Sequence, residues 1–483
     1  MVFSLEGSFP DWGLVSLRPP KDLREALVLI KLLISACSAE VAREQVLPFF
    51  NILLAPFVSG VDGYELKEEL RRFLMELSGL AAAGRDHLIT IGLELSNPEF
   101  MARSFPDGEG EVFLELSEEA GEVAFALLSA ISELGCPSPS LGLVIHVDPR
   151  AVGPDDPLLL KAHEVASTIG LPVFALRSSP SVVSFDGSTH LADWTGDWEL
   201  DLLRSGRAGR IVLNLPRIAY EAGGDLEGFL RGLGKVLAMA IKASLQRKNC
   251  LKERAERKLM PALMADVGGD SYLRISSVSY PLGFVGLPEA CLALSGELPH
   301  EGSGGLEVAE RILEVLSREL EAYWAKLDIR CPLSSLSARG VPARLAELDV
   351  ERYGWARVRI LGPRDKPVYT AGLLPPDTGL SLEERIELEA RLHKRIPGGS
   401  LLFLAPDELD LDPPGLAGIT LKALGRGVRA ISYPSDLTYC SACGRAFRGS
   451  YPKCPACGRV STITGFTRSP EGYIRDPSWG RYP

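Results

Sequence analysis

Apolar residues recur at helical spacing in some stretches of this chain and in short unbroken runs in others, and the two kinds alternate. Leu23, Ala26, Leu27, Leu29, Ile30, Leu32 and Leu33 put an apolar face on a helix within 21–60, and Leu66, Leu70, Phe73, Leu74 and Leu77 do so within 64–80. Further helices are expected over 117–134, 157–169, 225–260 and 306–327, the third with a break near Arg247-Lys248-Asn249. The apolar runs at 87–95, 140–148, 170–176 and 210–215 read as buried strands, the last closed by Pro216. Late elements follow at 400–405 and 417–424, and the Pro/Gly-rich stretch 369–379 reads as connection. Strands alternating with helices predict an α/β protein.

Composition adds little to that picture. Hydrophobic residues make up 46% of the 483 and charged residues 24%, the balance of a globular protein. No run of apolar residues is long enough to span a membrane, and the N-terminus does not read as a secretory signal. Cys37, Cys136, Cys250, Cys291 and Cys331 are scattered singly, which suits a reducing cytoplasm. A net charge of −11 argues against nucleic-acid binding by the chain as a whole. The tail differs: from Leu437 onward seven Arg/Lys face two acids, with aromatic residues interleaved. That is either a solvated surface or a site for an anion, such as a nucleotide phosphate or a nucleic acid.

The sharpest chemical pattern is Cys440-x-x-Cys443, ten residues, then Cys454-x-x-Cys457, with glycine after each pair. Two such knuckles can present four thiolates to one tetrahedral ion, and Zn2+ is the expected one. Two disulfides or redox dithiols are the alternative. The six histidines show no metal-ligand spacing; His190 reads as a surface residue. Gly302-Ser303-Gly304-Gly305 precedes a strong helix and could meet a phosphate there.

Several segments, in order, resemble the class III (anaerobic) ribonucleoside-triphosphate reductases, a glycyl-radical family. They are Leu53-Leu54-Ala55-Pro56-Phe57-Val58, Asn97-Pro98-Glu99-Phe100, Asn214-Leu215-Pro216-Arg217-Ile218-Ala219, Gly283-Phe284-Val285-Gly286-Leu287-Pro288-Glu289-Ala290, and Pro342-Ala343-Arg344-Leu345-Ala346 followed by Asp349. The resemblance implies a ten-stranded α/β barrel, here lacking the first strands, over 1–430, and a zinc ribbon with a C-terminal glycine loop over 431–483. It implies deoxyribonucleotide synthesis from ribonucleoside triphosphates, a radical S-adenosylmethionine activase as partner, and a homodimer or pairing with a complete reductase.

The chain departs from that family at the residues that carry its chemistry. The finger-loop window 184–194 holds Ser188 and His190 but no cysteine, and the expected Tyr-Thr-Asn turn reads Tyr369-Thr370-Ala371. No cysteine occurs before Cys37, where the family keeps another active-site thiol. Gly472, in Arg468-Ser469-Pro470-Glu471-Gly472-Tyr473, is the candidate radical glycine, though with the thiol partner missing a turn glycine is the preferred reading. Three readings therefore stand: a reductase whose thiol comes from another polypeptide, a catalytically silent paralogue that binds nucleotide or a true reductase subunit, and a nucleic-acid-binding zinc-ribbon protein.

Overall fold

The structure, a computed structural model, describes residues 19–83, 88–104, 112–135, 140–267, 269–335, 340–361, 364–375, 377–404, 409, 411–469 and 472–475. Strands β1 (Glu44–Leu47), β2 (Leu88–Glu94), β3 (Leu141–Val147) and β4 (Val173–Leu176) are mutually parallel, and their outward residues pack against flanking helices. After β4 the chain forms a hairpin, β5 (Ser181–Val183) with β6 (Thr189–Leu191). It then lays down β7 (Ile211–Asn214), a small hairpin of β8 (Asp266–Val267) and β9 (Asp270–Ser271), and β10 (Leu282–Val285), β11 (Leu333–Ser334), β12 (Leu402–Phe403) and β13 (Ala430–Ser432).

β7, β10 and β11 are parallel, as are β12 and β13. Gly398 N donates to Leu333 O at 2.7 Å and Ser335 N to Gly399 O at 3.1 Å, which joins the β11 edge to the approach to β12. β13 meets β4 antiparallel. Among the described residues nine strands thus run edge to edge from β1 round to β7, four in one half and five in the other. The expected α/β barrel architecture is present.

The seam between β1 and β7 is bridged by side chains. Glu40 accepts from Ala262 N and Leu263 N, both at 2.8 Å, and Arg207 reaches Glu44 at 3.5 Å. Gly399, at φ 112°, has to be glycine: a Cβ there would lie 2.3 Å from Gly187 O at the tip of the β5–β6 hairpin.

Two local expectations change and a third becomes specific. Glu44–Leu47 lies inside a stretch read as helical, yet it pairs with Leu88–Ile91; its mixed polarity hid a strand that tertiary pairing stabilises. Helix Leu226–Glu256 runs without a break, because its buried residues keep their spacing through Ser244 and Lys248. Residues 417–424 belong to a helix, Pro413–Arg426, capped by Asp412.

A second, four-stranded antiparallel sheet follows β13: β14 (Ser435–Cys440), β15 (Arg445–Arg448), β16 (Ile463–Ser469) and β17 (Gly472–Arg475), in the order β15-β14-β16-β17. Arg448 Nη1 donates to Ser167 O at 3.2 Å, near the C-terminus of helix Pro157–Ile169, where a cation suits the helix dipole. No described helix is long and apolar enough to cross a membrane.

Candidate functional site

The β5–β6 hairpin occupies the finger-loop window and lies inside the barrel. Phe185 sits against Gly142 of β3, where a Cβ would come within 2.7 Å of its side chain and of Thr90 Oγ1. Thr189 N donates to Gly398 O at 3.0 Å, so the tip reaches the β11–β12 side. Charged groups from the seam grip the hairpin. Arg207 donates to Ser184 Oγ, and Arg210 to Asp186 Oδ2 (3.1 Å) and to Ser188 Oγ. Glu44 accepts from Thr90 Oγ1 (2.6 Å) and Phe185 N (3.2 Å). Burial opposes ionisation of Asp186, but Arg210 and Arg207 hold its carboxyl well below the usual range. Burial and the neighbouring Asp186 push Glu44 the other way.

Ser188 is 1% exposed and its hydroxyl faces a guanidinium. His190, expected at the surface, is buried. Its Nε2 lies 3.0 Å from Asp201 O and 2.5 Å from Ser205 Oγ, and its Nδ1 3.4 Å from Ser279 Oγ. The loop folds inward as a hairpin, a decision made by the barrel and invisible in the local sequence. Burial, helped by the Arg330 charge, depresses its pKa to about 4, so the ring is neutral.

The remaining thiols lie elsewhere. Cys37 and Cys291 are buried on flanking helices, and burial pushes both up. Cys331 packs in the core of the second half, its pKa raised to about 12, and Cys250 is exposed. Cys136 lies outside the described residues.

Two polar knots flank the finger. At the ends of β2, β3 and β4, Arg177 pairs with Glu94, with Nε 3.0 Å from Oε2, and lies over the rings of Phe49 and Phe100 at 5.5 and 5.8 Å. His146 Nδ1 lies 3.1 Å from Glu94 Oε1, close but not aligned for a hydrogen bond. Burial opposes ionisation of Glu94; Arg177 and His146 more than offset it.

At the ends of β7 and β10, Asp349 accepts from Asn214 Nδ2 (2.8 Å), Arg217 Nε (2.6 Å) and Tyr369 OH (2.8 Å). Glu289 Oε1 accepts from Thr370 N (2.8 Å) and Thr370 Oγ1 (2.9 Å), and burial pushes Glu289 up to about 7. The sequence motifs around Asn214, Glu289, Asp349 and Tyr369, separate in the chain, thus converge. Asp349 and Glu289 were missed as site residues, though each sat in or beside a quoted motif. The amides of the glycine run at the start of helix Ser303–Leu327 are already taken by a carboxylate: Glu297 Oε2 accepts from Gly304 N (3.1 Å) and Gly305 N (3.2 Å).

In the second sheet the four cysteines come together. Their Sγ atoms all lie within 4.8 Å of one another, with Cys440–Cys457 at 3.7 Å and Cys443–Cys454 at 3.6 Å. A disulfide needs about 2.05 Å, so these sulfurs are unbonded. Tetrahedral zinc thiolates at about 2.3 Å would be about 3.8 Å apart, which these edges approach. Gly444 and Gly458, at φ 68° and 72°, close each knuckle by donating to Cys440 O and Cys454 O, both at 2.9 Å. The Thr462 hydroxyl, 3.3 Å from Cys440 Sγ, draws that thiol down to about 6. The cluster could hold a metal ion. Gly472 begins β17, opposite Ser469 of β16, in the same sheet.

Residues 5–482 match the family described as anaerobic ribonucleoside-triphosphate reductase. The enzymes of that name from Salmonella typhimurium and Escherichia coli are 25% and 24% identical over 318 residues, which is 61% of this chain and 44% of each relative. The match therefore spans under half the length of these curated relatives. The crystal structure of the anaerobic ribonucleotide reductase from Thermotoga maritima in complex with dATP and CTP superposes with a TM-score of 0.79 at 16% identity, covering 99% of this chain and 79% of that one. Hydroxyproline dehydratase from Clostridioides difficile superposes at 0.58 with 11% identity, over 87% and 62% of the two chains. At such identities the likeness speaks to fold alone.

Proposed function

Because the chain belongs to the anaerobic ribonucleoside-triphosphate reductase family, we propose that it is a catalytically silent member, keeping the barrel to bind a nucleoside triphosphate or to pair with a complete reductase. The observation that carries this reading is the fingertip. Where the family resemblance calls for a hydrogen-donating thiol there is Ser188, its hydroxyl held by Arg210. A serine O–H bond is far stronger than a thiol S–H, so a backbone glycyl radical could not readily take its hydrogen. Among the described residues the other thiols lie on flanking helices, in the helix-facing core or in the second sheet. The interior polar groups are largely spent on one another, which favours holding the finger in place over turnover.

The ion at Cys440, Cys443, Cys454 and Cys457 would be zinc, the usual partner of an all-sulfur tetrahedral site. Its role would be structural, tying together the module of β14–β17 beside the barrel that ends with β13. In this reading Gly472 is a hairpin glycine. A cytoplasmic setting suits the unpaired thiols.

The test is anaerobic incubation with a radical S-adenosylmethionine activase and S-adenosylmethionine, read by EPR. No glycyl doublet is expected. A doublet that disappears in Gly472→Ala, or ribonucleotide turnover on adding a second polypeptide, overturns the silent reading. Equilibrium titration with dATP and CTP, the ligands held by the Thermotoga relative, tests the binding role; saturable binding of at least one is expected, unless the chain instead co-purifies with a complete reductase.

A further inference from the structure

Both knuckles spell the same hexad, Cys-x-Ala-Cys-Gly-Arg. They are Cys440-Ser441-Ala442-Cys443-Gly444-Arg445 and Cys454-Pro455-Ala456-Cys457-Gly458-Arg459. The sulfurs meet within 4.8 Å, so the arginine that ends each hexad, and Lys453 beside Cys454, each lie one or two residues along the chain from a sulfur of the same cluster. Arg445, Lys453 and Arg459 are all exposed. Among the described residues none of the three has a side-chain hydrogen bond or ion pair. Some exposed barrel arginines are paired instead, Arg391 with Glu310 at 2.6 Å and Arg426 with Glu387 at 2.5 Å. Arg448, in the same sheet, is spent on docking to Ser167 O.

The local charge survives a bound ion. A zinc tetrathiolate carries two negative charges of its own. From Ser435 to Arg475 the sequence holds six Arg/Lys and two acids, Asp436 and Glu471, so a positive excess remains in a chain of net −11. Tyr451, two residues before Lys453, is 40% exposed, its backbone N held 3.0 Å from Thr438 Oγ1. Exposed guanidinium groups match phosphodiester oxygens, and an exposed ring offers a base something to stack on.

We propose that this face of the metal module binds single-stranded nucleic acid, with Arg445, Lys453 and Arg459 on backbone phosphates and Tyr451 under a base. The proposal is independent of whether the barrel is silent. An acidic polypeptide is the competing occupant, but it gives the tyrosine ring nothing to stack on.

The experiment is fluorescence anisotropy of the full, metal-loaded chain with labelled oligo-dT and oligo-U of about 20 nucleotides. Binding is expected at about 50 mM salt, with a log–log salt slope of about −2, as three phosphate contacts on a single strand predict. The triple Arg445→Ala, Lys453→Ala, Arg459→Ala variant should bind at least about tenfold more weakly with a flatter slope, while Arg445→Lys with Arg459→Lys retains most binding. Tyr451→Ala should cost about fivefold or more through lost stacking. Equal metal content in every variant confirms that the module still folds. Absence of binding by the wild type at low salt overturns the proposal. So does a triple variant that binds as well as wild type, or polyglutamate competing as strongly as the oligonucleotide at equal charge.

Discussion

The barrel interior and the metal module both gather polar side chains at a centre, and they resolve the burden in opposite ways. In the barrel, Glu44, Asp186, Arg207, Arg210, Ser184 and Ser188 satisfy one another, as do Asp349, Asn214, Arg217 and Tyr369. In the module, four sulfurs face one another at distances too long for a bond and right for a shared ion. A buried charge network that closes on itself stabilises a shape and leaves little for a ligand. Four converging thiols do the reverse: they are complete only with something added.

The sharpest way to break the contrast is to remove one ligand. Cys454→Ser, or a strong chelator, should release about one zinc per chain and unfold the second sheet, while the barrel keeps its own cooperative transition. Metal analysis and circular dichroism read both. If the barrel melts together with the module, the two regions are not separable.

Next in size is Asp349→Ala. It leaves Arg217 without its carboxylate and strips acceptors from Asn214 and Tyr369, so about 3–5 kcal/mol of stability should be lost, read from urea unfolding. Gly142→Ala drives a Cβ into Phe185 and Thr90 and should cost about 1–3 kcal/mol. In a double-mutant cycle with Phe185→Ala, which removes the clashing Cγ, the combined loss should be less than the sum of the two separate losses, because part of the clash is with the finger.

Two pH tests have opposite signs. Burial raises Glu289 from 4.5 to about 7, so the folded state holds the proton more tightly, and stability falls as pH rises between those values. Glu289→Gln keeps the acceptor for Thr370 and should therefore stabilise the protein by on the order of 1–3 kcal/mol at about pH 8, with little effect at about pH 5. His163 goes the other way. Burial lowers it from 6.5 to about 4, so its contribution is complete above 6.5 and is lost as pH falls toward 4. Its ring is fixed between Leu159 O (2.8 Å) and Thr420 Oγ1 (2.7 Å). Replacing it with Gln should flatten the acid side of the stability profile, the smallest of these effects.

Much of the fold was legible. Runs such as Leu141–Val147 are buried at every position and so read as continuous apolar strands. Glu44–Leu47 did not, because all four residues are only half-buried at the seam. The four-cysteine cluster, which could hold a metal ion, was legible to the residue, since the spacing within a knuckle is a local constraint. The knots were not. Asp349 and Asn214 are far apart in the chain, and neither announces its partner.

The sequence alone determined the α/β alternation, the four sulfur ligands and the lack of a cysteine in the finger window, for each depends on residue type or short spacing. Only the tertiary structure decided that Ser188 and His190 are buried. It also decided that Arg210 and Arg207 are consumed by the hairpin, and that Arg445, Lys453 and Arg459 are exposed and, among the described residues, unpaired. Hydrogen bonds and ion pairs between distant segments are set by how the strands close up, and that closure is a property of the whole chain.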